Sequence, residues 1–317
     1  MGASGQVLFL AWIGAVAGPP ILITAWALLQ RSGRFRLAWA LTALAAPLYV
    51  LGVWTFLVEP RVLVTREVVI ESPTWRGPPV RLGLISDTHV AAPHVDARRI
   101  QKIVARMNAL SPDVVLLLGD YAGGHEPAAM RAAPQRSEIL RGVAAFKGLR
   151  ARYGVYAVLG NHDWWYDGPA IESALTLAGA TVLENGAVAV DRPEGRLWIA
   201  GLADLESTRK QPSYPTALAS LPPNEPVVVM SHWPDPFVAA PRRVALTVAG
   251  HTHCGQVNLP LVGRLVHASH AARRWGCGIY VEGGRQLYVT GGVGVSILPV
   301  RFRAPPELVV ITLRGRP

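Results

Sequence analysis

Two long apolar runs open the chain: from Val7 to Leu29, and again from Leu37 to Val58, no charged side chain interrupts the sequence. Each is close to the ~20 residues that carry an α-helix across the hydrocarbon core of a bilayer. With only "RSGRFR" at the join, they predict a two-helix transmembrane hairpin over residues 1–60. A buried core helix is one competing reading, and a cleaved signal peptide is the other. The signal peptide fits poorly, because "MGASGQ" has no basic side chain and the apolar run is too long. Gly18-Pro19-Pro20 predicts a kink in the first span, since proline removes an internal hydrogen bond.

Residues 61–79 read as a strand-bearing connector, and from Val80 the pattern changes. Short continuous apolar runs ("RLGLIS", "DVVLLLG", "GVYAVLG") alternate with segments of helical periodicity ("DARRIQKIVARMNAL", "SEILRGVAAFKGLR"). Continuous strand-length runs suit strands covered on both faces, so residues 80–317 predict an α/β domain. The later runs "RLWIAGL", "PVVVMS", "ALTVAG", "RQLYVTGG" and "ELVVITL" have fewer helical stretches between them, which predicts a more mixed sheet. Leu261 to Gly284 reads as a long surface loop.

The polar residues that end these runs carry the chemistry. "LGLIS" is followed by Asp87 and His89, "VVLLLG" by Asp120, "VYAVLG" by Asn161, His162 and Asp163, "VVVMS" by His232, and "LTVAG" by His251 and His253. Singly these signals are weak. In series, at the carboxyl ends of strands where α/β sites form, they predict a metal centre. Oxygen and imidazole donors without thiolate suit Mn²⁺, Fe or Zn²⁺ and disfavour Ca²⁺. Asp87, His89, Asp120, Asn161, His232, His251 and His253 exceed what one catalytic cation uses with a position left open, so two divalent metal ions are expected. Such pairs serve in-line displacement at phosphorus.

The net charge of +10 favours anionic partners. Nucleic acid is not expected, since the arginines are scattered and no binding motif is present; a membrane lipid surface and a phosphorylated substrate are. Arg31, Arg34 and Arg36 in the loop between the spans predict a cytoplasmic loop and an extracytoplasmic domain, although Arg61, Arg66 and Arg76 follow the second span closely. The expected setting is a bacterial inner membrane. Cys254 and Cys277 are too few for a disulfide framework or a cysteine metal site and leave the redox compartment open. The sequence does not set the oligomeric state.

The blocks "DTH", "GD", "GNHD", "SH" and "GHTH" resemble those of the calcineurin-like metallophosphoesterases. "GHTHCGQVNLPLVG" and "YVTGGVGVSILPVRFRAPPELVVITL" are similar to the membrane-associated YaeI/YkuE-type branch. The resemblance, from about Val80 to the C-terminus, implies two mixed β-sheets sandwiched between helices with a dinuclear site at one end. It implies Asp87, His89 and His253 on the first metal, Asn161, His232 and His251 on the second, Asp120 bridging, and Mn favoured. It further implies a metal-bridging hydroxide that attacks phosphorus, His162 as general acid, and Asp163 accepting a hydrogen bond from a neighbouring histidine. One known role in the branch is cleavage of UDP-diacylglucosamine, which calls for a cytoplasmic active site. Two departures stand out. Only Asp204 remains of an expected aspartate pair in "GLADLES", and Cys254 replaces a glycine and reads as packing.

Trp164, Trp165 and Tyr166 either pack beneath a loop or line the substrate mouth. Arg273, Arg274 and Trp275 either clamp a phosphate or form a solvated basic face, and His94, His125, His267 and His270 read as surface residues. The leading expectation is a membrane-anchored phosphoesterase for a lipid-linked phosphodiester or pyrophosphate. A non-catalytic membrane scaffold on the same fold and a phosphodiesterase for soluble nucleotides are the alternatives.

Overall fold

The computed structural model describes residues 3–193 and 195–315. Helices α1 (Ala3–Arg31) and α2 (Phe35–Val53) form an antiparallel pair joined by a tight turn, each long and apolar enough to cross a membrane. Phe9, Leu10, Ile13, Val16, Leu44 and Leu48 point outward from the pair, a surface that suits hydrocarbon and not water. Helix α1 stays helical through Pro19 and Pro20. Pro19 has no N–H to give the carbonyl of Ala15, and the Tyr49 hydroxyl donates to that carbonyl instead at 2.6 Å. Gly18 lets the Tyr49 ring come this close, for a Cβ there would overlap it.

The second helix runs on through a short π-helical and 3₁₀ segment to Arg61 and docks on the domain. The Thr55 carbonyl accepts from Arg301 N at 3.0 Å. The Glu59 carboxylate accepts from Ala304 N at 2.8 Å and from the Trp54 indole at 2.7 Å.

Strand β1 (Val64–Ser72) follows, so the segment expected as a connector is the edge of the first sheet, parallel to the C-terminal strand. The chain continues through β2 (Val80–Ile85), α3 (Ala97–Ala109), β3 (Val114–Leu117), α4 (Ala133–Ala144), β4 (Val155–Ala157), α5 (Asn161–Leu177) and β5 (Thr181–Val182). Then come β6 (Gly186–Val190), β7 (Leu197–Gly201), α6 (Tyr214–Ala217), β8 (Val227–Met230), β9 (Val244–Ala249), β10 (Asn258–Leu259) and β11 (Gly263–Arg264). Helix α7 (His270–Arg274) and strands β12 (Gly278–Glu282), β13 (Arg285–Val289) and β14 (Glu307–Gly315) complete it.

Two six-stranded sheets result, ordered β1-β14-β2-β3-β4-β5 and β12-β13-β9-β8-β7-β6. Both are mixed: β14 runs antiparallel to β2 in the first, and β6 and β12 run antiparallel to their neighbours in the second. Leu82, Leu84, Leu116, Val309 and Ile311 of the first sheet interlock with Ile199, Val228, Met230, Leu246 and Val248 of the second. Alternate residues, Ile85, Val115 and Leu117, face α3, α4 and α5, and the outer face of the second sheet is covered by α6, α7 and a 3₁₀ turn at Asp235–Ala239. Burial on both faces explains the continuous apolar runs of the sequence. The segment expected as one long loop, Leu261 to Gly284, instead holds α7 and β12, and β12 pairs with β13.

The proline repair in α1 is testable. Tyr49→Phe is expected to lower hairpin stability by ~0.5–2 kcal/mol in detergent unfolding experiments. Unchanged stability would mean the Ala15 carbonyl finds another donor.

Candidate metal centre

The carboxyl ends of five strands converge between the sheets. Asp87 and His89 follow β2, Asp120 follows β3, Asn161, His162 and Asp163 open α5 after β4, His232 follows β8, and His251 and His253 follow β9. All nine side chains are buried. Asp87, His89, Asp120, His251 and His253 take φ between 44° and 66°, the left-handed region that costs a non-glycine residue energy. Hydrogen bonds between the loops hold them there. Asp87 N donates to Gly119 O (2.9 Å), His89 N to Asp120 O (3.0 Å), and Gly250 N to His232 O (2.9 Å). His251 N donates to the Asp87 carboxylate at 3.1 Å and His162 N to Asp120 Oδ1 at 2.9 Å. Gly160 must lack a side chain, because a Cβ would run into the Asp120 carboxylate.

Three overlapping groups can each hold a cation: Asp87, His89 and His253; His89, Asp120 and His162; Asp120, His232 and His251. Within each group the ligand atoms lie within 4.8 Å of one another. Asp120 Oδ2 is central, 3.3 Å from His232 Nε2, 3.6 Å from His89 Nε2 and 3.9 Å from His162 Nε2. His89 Nε2 and His253 Nε2 face each other at 3.0 Å, with Asp87 Oδ1 3.5 Å from the latter. On the other side His232 Nε2 lies 3.2 Å from His251 Nδ1 and 3.1 Å from Asn161 Oδ1.

The charges show what this arrangement asks for. Burial, helped by Asp120, pushes Asp87 up to about 6, whereas Asp120, despite its burial, is held well below the usual carboxylate range by His232, His162 and His89. Burial and neighbouring positive charge take His89 and His253 well below the ordinary histidine value and His251 down to about 3. These imidazoles are neutral and carry free lone pairs. Burial also disfavours charge on His232, but Asp120, Asp87 and Asp204 outweigh it and raise it to about 10. Buried carboxylates beside neutral imidazoles, without thiolate, fit divalent cations.

His162 is held by its other nitrogen: Nδ1 lies 2.8 Å from the carbonyl of Gly124, to which an Nδ1–H donates, and Nε2 faces Asp120. Asp163 differs from expectation. Among the described residues no histidine donates to it. Its Oδ2 accepts from Asp120 N (2.9 Å) and Gly160 N (2.9 Å), and its Oδ1 from Tyr121 N (2.8 Å) and Ala122 N (3.0 Å). Its side chain therefore shapes the backbone that presents Asp120.

The aromatic triplet divides. Trp164 and Tyr166 are buried, capped by Arg209 and Arg131 respectively, while Trp165 lies 4.7 Å from the His162 ring at the mouth of a cavity. His125 is solvent-exposed as expected, yet its ring lies 4.8 Å from that of His162. His94 is half-buried against the Pro299 carbonyl, in place of the expected surface position; His267 and His270 are exposed. Trp233, which the sequence did not mark, stacks on His251 at 3.5 Å and donates to Asp204 Oδ2 at 2.9 Å. Asp204 thus supports the site through an indole. Arg301, also unmarked, is fully buried, donates to the carbonyls of Gly291 (2.8 Å) and Ala304 (2.7 Å), and lies 3.4 Å from His253 Nδ1.

Cys254, expected as packing, forms a disulfide with Cys277. Two of the three candidate clamp residues, Arg274 and Trp275, are engaged within the protein. Arg274 pairs with Glu282 at 2.7 Å, the Trp275 indole donates to the same carboxylate, and Arg273 points to solvent.

A model of the calcineurin-like phosphoesterase family matches residues 80–255. The chain belongs to that family, and it is a metallophosphoesterase with a cluster of Asp and His residues able to bind metal. It is similar to the uncharacterized metallophosphoesterase YkuE of Bacillus subtilis, 28% identical over 73% of this chain and 77% of that one. It is also similar to the phosphodiesterase YaeI of Escherichia coli, 30% identical over 74% of this chain and 82% of that one. A transmembrane protein with metallophosphoesterase domain from Danio rerio is 29% identical over 89% of this chain and 64% of its own length.

Asp163→Asn puts an amide NH₂ against backbone donors. It is expected to lower thermal stability, by ~1–3 kcal/mol, along with activity. Loss of activity at unchanged melting temperature would contradict the structural role of Asp163.

Proposed function

We propose that this chain is an integral membrane enzyme that hydrolyses phosphodiester or pyrophosphate bonds of a lipid-linked substrate with two divalent cations, Mn²⁺ favoured over Fe and Zn²⁺. One observation carries the reading. A cavity of about 300 Å³ is lined both by Asp120, Asn161, His162, His251 and His253 and by Val257, Val266, Ile297, Leu298 and Val300. A lining that joins candidate metal ligands with apolar side chains suits an amphiphilic phosphoester.

In this reading Asp87, His89 and His253 hold one cation, Asn161, His232 and His251 the other, and Asp120 both. Bound cations supply positive charge for the phosphoryl oxygens and acidify water. The residues do the rest. Gly124 fixes the His162 ring through Nδ1, so that Nε2 can give a proton to the leaving oxygen. Ser296 Oγ, 3.5 Å from that Nε2, steadies the same atom, and Trp165 and His125 narrow the entrance. The name of the Escherichia coli relative supports diester chemistry.

The disulfide supports an extracytoplasmic domain in a bacterial inner membrane, because such bonds persist in oxidising compartments. That agrees with the arginines between the spans. UDP-diacylglucosamine, which calls for a cytoplasmic active site, fits this orientation less well than a phosphodiester or pyrophosphate displayed on the outer leaflet.

Purified full-length protein with Mn²⁺ is expected to hydrolyse bis-p-nitrophenyl phosphate, and His162→Gln to lower kcat by ~10²–10⁴-fold with cation content unchanged. Wild-type turnover in that variant would remove His162 from the chemistry. A C-terminal phosphatase reporter that works only outside the cytoplasm is expected to be active; an inactive reporter with an active cytoplasmic counterpart would reverse the orientation.

A further inference from the structure

Two exposed apolar segments flank the cavity. The β10–β11 hairpin presents Leu261, which is 108% exposed, with Val262 and, just beyond it, Leu265 and Val266. The loop before β14 presents Ile297 and Leu298, 66% and 47% exposed. The two segments form one surface: Asn258 N donates to Phe302 O at 2.9 Å, and Val257 bridges Phe302. In water such a cluster is a liability, and burial in another phase is its ordinary explanation.

The loop is held in its outward pose. Ile297 takes φ +61°, a costly conformation for a β-branched residue. Gln256 clamps it on both sides, accepting from Ser296 N (2.6 Å) and donating to the carbonyls of Ser296 (3.1 Å) and Leu298 (3.3 Å). Strain of this kind, held by a dedicated side chain, marks a functional surface.

The occupant follows from the membrane helices. Ser4 Oγ, in the first turn of α1, donates to the Ile297 carbonyl at 2.6 Å. Ile297 therefore sits at the level where the apolar helix pair meets the domain, and the apolar surface continues that of the spans. Arg303, exposed a few residues beyond Leu298, would meet lipid phosphates.

We infer that Leu261, Val262, Ile297 and Leu298 dip into the outer acyl region of the same bilayer that holds α1 and α2, so that the cavity opens onto lipid and takes its substrate laterally from the membrane. The inference rests on the lipid-linked reading above and adds the route by which the substrate arrives. The apolar wall formed by Val257, Val266 and Val300 then receives the part of the lipid nearest the headgroup while the phosphoryl group reaches Asp120.

The test uses the full chain in nanodiscs of phosphatidylcholine and phosphatidylglycerol. Because Cys254 and Cys277 are joined, a thiol-reactive NBD dye labels a single new cysteine in Leu261→Cys, and in the control Val238→Cys, which is 66% exposed on another turn. Lipids carrying doxyl groups near the top of the acyl chain are expected to quench the Leu261 label several-fold more than the control. Equal, weak quenching would overturn the inference. In addition, Leu261→Ser/Val262→Ser is expected to lower turnover of a vesicle-embedded diacyl phosphodiester about tenfold relative to turnover of bis-p-nitrophenyl phosphate. An equal effect on both esters would count against lateral entry. A quenched label on an enzyme that hydrolyses neither ester would uphold the membrane-dipping surface and overturn the catalytic reading instead.

Discussion

Six ionisable side chains, Asp87, Asp120, His89, His232, His251 and His253, are buried at the meeting of two sheets, where they act on one another and on His162, Asp204 and Arg301 beside them. Isolated burial of such groups is costly, and a buried carboxylate stays ionised only with positive charge or hydrogen-bond donors beside it. Bound cations would add to the positive charge that His232 and Arg301 already bring. The left-handed backbone at five of the site residues is a second cost of the same kind, borne by the hydrogen bonds that lock one loop against the next.

That locking explains residues with no direct part in chemistry. Asp163 gathers four backbone N–H groups and so sets the turn that presents Asp120. Trp233 backs His251 and is itself held by Asp204. Arg301 ties the loop beside His253, and its own N–H bonds to Thr55 at the end of the second apolar helix. Anchor, loop and ligand are thus joined by hydrogen bonds, and the cavity lies where they meet.

The candidate site was legible because its chemistry is local: each polar block directly follows an apolar run, and strand ends of parallel segments gather at one edge. The two mixed sheets came from the resemblance and from the later, helix-poor runs. Other features were hidden for physical reasons. Three of the four donors to Asp163 come from residues some 40 positions away, so its role depends on a turn that the sequence does not display. Strand β12 escaped notice because it is an edge strand whose Ile279 and Val281 point outward among glycines and arginines. The pairing of Cys254 with Cys277 needed the β9 end and α7 to be seen side by side. Trp164, Trp165 and Tyr166 are adjacent on a helix, where neighbours face different ways, so only one could reach the mouth.

The central claim is a pair of cations sharing Asp120. Elemental analysis of the full-length protein and of Asp120→Ala, each refolded or purified with Mn²⁺, addresses it most directly. The account expects about two equivalents per wild-type chain and loss of both in the variant. One equivalent in the wild type, or two retained without the Asp120 carboxylate, would contradict it.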